Sequence, residues 1–159
     1  MSSAALEIAI IRNDDAWPED LDALAERAVF AALDMSKAQV KGAAELAIVL
    51  TNDAEQHGLN QQWRGKDSST NVLSFPQIEP FAPVTGILGD ITMARETLER
   101  EALEQGTSFP HHFTHLVVHG FLHILGYDHL TDAEAHQMES LETAILASLG
   151  IDDPYAEQG

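Results

Sequence analysis

His119-Gly120-Phe121-Leu122-His123-Ile124-Leu125-Gly126-Tyr127-Asp128-His129 is the stretch on which the reading of this chain turns. His119 and His123 are four residues apart, so on a helix their imidazoles project from one face, one turn above the other. Gly126 can leave the helix with positive φ and turn the chain back, which lets His129 approach the same point from a third direction. Three neutral nitrogen donors suit Zn²⁺, and three protein ligands leave a fourth position for water, the arrangement of a catalytic rather than a structural site. The chain contains no cysteine, so no thiolate can close that shell.

The histidine spacing also matches the long zincin motif of metalloproteases, with one difference. The glutamate that follows the first histidine there, and serves as general base, is here Gly120. Peptide hydrolysis therefore becomes a distant alternative.

Working outward, Leu59-Asn60-Gln61-Gln62-Trp63-Arg64-Gly65-Lys66-Asp67, Thr70-Asn71-Val72-Leu73-Ser74-Phe75-Pro76 and Leu88-Gly89-Asp90-Ile91 form three further blocks. Together with the histidine block they resemble the YbeY family, metal-dependent endoribonucleases of bacteria and organelles that mature ribosomal RNA. The likeness runs from about Glu45 to Leu149. Trp63 stands where a tyrosine is commoner, and Ser68-Ser69 where a pair often includes proline; neither is a proposed ligand. The resemblance implies a zincin-like α+β fold and one Zn²⁺ per chain on His119, His123 and His129. It also implies a catalytic role for Arg64, action on single-stranded RNA at the 3′ end of 16S ribosomal RNA and in ribosome quality control, and partnership with the small ribosomal subunit and its assembly factors. No DNA substrate is expected.

The residues support that reading on their own chemistry. A guanidinium at Arg64 can hold a phosphate through paired hydrogen bonds and offset the charge that grows on phosphorus during cleavage. Lys66 is a weaker candidate for substrate binding. His115, one turn before His119, could touch substrate or hydrogen-bond to a ligand. His57, His111, His112 and His136 lack partner spacing and read as solvated, and Asp128 reads as a turn residue that could orient an imidazole. Whether hydroxide or the RNA's own 2′-hydroxyl attacks stays open. A zinc-stabilised assembly factor without catalysis is the second reading.

Charge pulls the other way. With 26 acidic and 8 basic residues the net charge is −18, the reverse of the footprint usual in nucleic-acid binding. Affinity for RNA should then fall steeply with salt or depend on a partner. The 159 residues, 45% hydrophobic, suffice for one domain spanning 1–159. Leu6–Ile11 is too short and too interrupted by Glu7 for a signal peptide or membrane span, so a cytoplasmic location is expected.

The periodicities predict strands at 6–11, 45–50, 72–75 and 87–93, and helices at 20–33, 51–63, 94–105, 110–126 and 131–149. Pro110 should take the first position of the metal helix, and Thr131-Asp132-Ala133-Glu134 reads as a capping box. Residues 77–85, with Pro80 and Pro83, read as a mobile loop. Four strands and five helices, neither alternating nor segregated, make a mixed four-stranded sheet covered by helices, in the α+β class.

Overall fold

The computed structural model describes residues 6–152. Four strands, β1 (Leu6–Arg12), β2 (Val40–Thr51), β3 (Val72–Pro76) and β4 (Val84–Ala94), alternate irregularly with five helices: α1 (Asp22–Met35), α2 (Asp53–Arg64), α3 (Arg95–Gln105), α4 (Phe109–Leu125) and α5 (Asp132–Ser148). The expected α+β class and element count hold. The sheet order is β1-β2-β4-β3, with β1, β2 and β4 parallel and β3 antiparallel to β4. Sequence patterning carries no signal for that order.

β2 starts five residues earlier than its apolar run. Val40 pairs with Val84, and the register shifts before Ala44 resumes pairing with Gly86, so neighbouring strands recruit residues of low intrinsic strand preference. From Ala44 onward Leu46, Ile48 and Leu50 are buried on one face, as the two-residue period of a strand demands.

α4 is the central helix, packed against β3, β4, α1, α3 and α5. Phe113, Val117, Phe121, Leu122 and Ile124 are fully buried, so apolar residues surround most of its circumference, as expected for a helix enclosed on several sides. Ser108 caps it by accepting from His111 N–H at 3.2 Å, which places Pro110 second in the helix, after Phe109. Both positions have a free N–H in an ordinary residue, so the proline costs nothing at either. The capping box of α5 is complete, Thr131 and Glu134 each bonding the other's backbone N–H.

The segment between β3 and β4 is tied at several points. Gln77 N–H donates to Leu88 O at 2.8 Å, and Phe81 N–H to Leu125 O at 2.7 Å. It therefore lies against the end of α4. Among the described residues no helix is long and apolar enough to cross a membrane.

Candidate metal centre

Along α4, His115, His119 and His123 repeat every four residues on the strip that the core does not cover. The helix ends at Gly126, whose φ of 123° is open to glycine alone. A Cβ there would stand 2.7 Å from Phe81 N and 2.8 Å from Pro80 Cα. Tyr127 N–H closes the turn on Leu122 O at 3.0 Å. Three residues on, His129 arrives beside the other two: donor atoms of His119, His123 and His129 all lie within 4.8 Å of one another.

The hydrogen bonds around the rings decide what that cluster can hold. His119 Nδ1 lies 2.7 Å from Glu142 Oε2, and a carboxylate only accepts, so the proton sits on Nδ1. His123 Nδ1 lies 2.9 Å from Tyr127 O, which fixes its proton in the same way. Both Nε2 atoms are left as bare acceptors, yet they face each other at 3.1 Å. Two acceptors at that distance call for a cation between them, and tetrahedral Zn–N bonds of ~2.0–2.1 Å set ligand nitrogens roughly 3.4 Å apart. The donor set fits a zinc-like ion. Burial, reinforced by His119 and His129, pushes the His123 pKa down to about 4 against the weaker pull of Asp128 and the Tyr127 carbonyl, so the ring is neutral and ready to coordinate.

Glu142 escaped the sequence reading. Its side chain is 0% exposed and serves two imidazoles, His119 through Oε2 and His115 Nε2 through Oε1 at 3.5 Å. The signal was present: Met138, Leu141 and Ile145 mark the inward stripe of α5, and Glu142 falls on that stripe as its one carboxylate. A charge at a core position needs a partner. With this arrangement Glu142→Gln, which keeps the shape and loses the charge, should weaken zinc binding by about 10–100-fold while the far-ultraviolet circular dichroism stays unchanged; competition against a chromophoric chelator reads the affinity. Unaltered affinity would make Glu142 a packing residue.

The other expected residues fall as follows. Arg64 closes α2, is exposed, forms no ion pair among the described residues, and lines the same cleft as the three histidines. That cleft, about 600 Å³, has Thr70, Asn71, Val72 and Ser74 on the β3 side and Tyr127 on the other. Lys66 lies beyond the Gly65 turn, exposed and outside the cleft lining. His115 faces Glu142 rather than the cleft. Asp128 Oδ1 accepts from His129 N–H at 2.8 Å, fixing the turn rather than a ring. His57 is exposed against Asp67 at 2.6 Å.

His112 departs from its solvated reading: it is 3% exposed, with Nε2 2.8 Å from Glu101 Oε1. Burial works against a charged Glu101, but the hydrogen bonds from His112 and Asn71 outweigh it and hold that carboxyl below its ordinary value. The partner sits on α3, so no local spacing announced it.

Gly120 has a steric reason as well as a chemical one. A Cβ at this position would meet Ile91 Cγ2 at 3.0 Å, and Ser74 Oγ and Val72 Cγ2 at 3.3 Å, while Ser74 Oγ donates to Gly120 O at 2.9 Å. The position where a protease carries its base is the seam between α4 and the sheet.

Known proteins resemble this chain over nearly its whole length. A family model described as Endoribonuclease YbeY matches residues 8–150. A Bradyrhizobium protein named Endoribonuclease YbeY is 51% identical over 156 residues, 94% of this chain and 92% of its own length. One of the same name from Agrobacterium fabrum is 50% identical over 164 residues, 98% of each. The solution structure of TM1509 from Thermotoga maritima is similar with a TM-score of 0.56 at 23% identity, covering 91% of this chain and 92% of that one, a likeness of fold.

Proposed function

The chain belongs to the YbeY endoribonuclease family, and from that premise we propose that it is a zinc-dependent, single-strand-specific endoribonuclease acting in 16S ribosomal RNA 3′-end maturation and ribosome quality control. The observation that carries the zinc assignment is the pair of facing Nε2 acceptors at 3.1 Å, held in their tautomers by Glu142 and Tyr127. His119, His123 and His129 are the ligands in this reading. Zinc bound there supplies Lewis acidity towards a phosphoryl oxygen and acidifies a water.

The remaining work falls to the chain's own groups. Arg64 donates to the phosphate oxygens across the cleft and offsets their growing charge. Glu142 keeps the His119 proton on Nδ1 and His115 fixes the other carboxylate oxygen, while Lys66 adds positive charge on the approach to Arg64. Placement of Gly120 in a packed seam argues against a protease.

A net charge of −18 favours delivery of the substrate by a partner, and the small ribosomal subunit with its assembly factors fills that role in a cytoplasmic, single-domain protein. The test is removal and return of the metal. Chelation should reduce cleavage of single-stranded RNA to background, and one equivalent of zinc per chain should restore it, with circular dichroism recording that the fold persists. Zinc that restores only thermal stability, with no cleavage in either state, would instead favour the non-catalytic assembly factor.

A further inference from the structure

Eight basic residues against 26 acidic ones leave little phosphate neutralisation with which to hold a polyanion. Two exposed rings outside the cleft lining, each next to a residue that belongs to it, offer a different source of binding energy. Trp63, the residue before Arg64, is 64% exposed, and tryptophan is seldom left so open. Its ring meets Phe75 edge-on, centroids 6.4 Å apart at 70°. Val72 and Ser74 lie against Gly120 of α4, so strand alternation turns Phe75 to the opposite face of β3. Trp63 thus stands across the free edge of β3 from the histidines, with Arg64 next to it in the cleft wall.

The other flank repeats the pattern. Phe81 is 63% exposed and meets Tyr127 edge-on, centroids 5.0 Å apart at 84°. Tyr127 is itself cleft lining. Phe81 holds a left-handed backbone, φ 60°, unusual for a bulky residue, and its N–H is anchored on Leu125 O. Each ring is therefore open on the outside and supported from behind.

We propose that Trp63 and Phe81 are stacking platforms that each receive one nucleobase, on the two sides of the phosphate that Arg64 and the histidines address. This rests on the endoribonuclease reading and adds where the bases go. Stacking is tolerant of sequence because every base has a π face, and it requires the base to be unpaired. Single-strand preference then has a structural origin in this chain, and part of its affinity is independent of charge.

The test compares a single-stranded oligoribonucleotide of roughly ten nucleotides with a strand of the same length whose riboses carry no bases, on zinc-loaded protein. Wild type should favour the ordinary strand, and Trp63→Ala and Phe81→Ala should each shrink that ratio on the order of tenfold, with zinc content unchanged and Trp63→Phe retaining most of it. Fluorescence gives an independent reading, because the other tryptophan, Trp17, is 3% exposed: the ordinary strand should quench the solvent-exposed emission and the abasic strand should not. A variant that keeps the wild-type ratio overturns the platform at that residue. Wild type that neither binds nor cuts either strand overturns the endoribonuclease reading itself.

Discussion

His123→Ala should abolish stoichiometric zinc and lower RNA cleavage by about 10³-fold, the rate equivalent of the several kcal/mol a Lewis-acidic ion contributes to transition-state charge. The comparison with His119→Ala is the informative part. His123 spends its second nitrogen on the Tyr127 carbonyl, at a chain turn that the Gly126 and Tyr127 N–H bonds also secure. His119 spends its own on Glu142, whose carboxylate has no access to water. Removing His119 takes away the shorter of the two imidazole contacts to that charge and keeps the looser one, His115 at 3.5 Å. Both variants should lose the metal, but His119→Ala should lose a further ~1–3 kcal/mol of stability measured on metal-free protein, the cost of losing a hydrogen bond to a buried carboxylate. Elemental analysis, single-turnover cleavage and urea unfolding separate the two effects. Equal unfolding midpoints for the two metal-free variants would mean that Glu142 draws its stabilisation from elsewhere.

Arg64→Ala should lower kcat/KM for single-stranded RNA by about 10²–10³-fold, the usual loss when one preorganised donor to a developing oxyanion is removed. Zinc content should stay at wild type, since Arg64 reaches the cleft from α2 and is not one of the three residues whose donor atoms converge. Stability should also stay near wild type, because an exposed helix-terminal guanidinium without an ion pair among the described residues contributes little to folding. Arg64→Lys should recover only part of the rate, because an ammonium cannot form the paired, planar hydrogen bonds of a guanidinium. Full activity in both variants would remove Arg64 from the chemistry and leave it a surface residue.

Those two residues also mark what could be read from the sequence. The histidine block was legible because its logic is local: four-residue spacing, a glycine turn and a short return, all within eleven residues. The capping box at Thr131 and the boundaries of α2, α3 and α5 were legible for the same reason. Arg64 and the histidines share a cleft only because β3 is laid beside β4, which no pattern near either group records; the resemblance to a family stood in for that information. His112 looked solvated because its partner Glu101 lies on another helix. Glu142 does leave a local mark, as the one carboxylate on the stripe of Met138, Leu141 and Ile145, but its histidine partners lie on another helix.

The sheet order has a kinetic consequence. β4 lies between β2 and β3, although it is the last strand to be made, and the parallel registers join Leu6 to Ala44 and Ala44 to Gly86, far apart along the chain. Such pairings reward the loop-closure entropy late, so folding belongs on the slower, millisecond-to-second side for a chain of this size. Until β4 inserts, β2 and β3 both present open edges, and the nascent protein is at its most prone to associate with copies of itself. α4 rests on β3 and β4, so the cleft that Arg64 shares with the histidines takes shape only with that insertion, however early the local histidine turn forms.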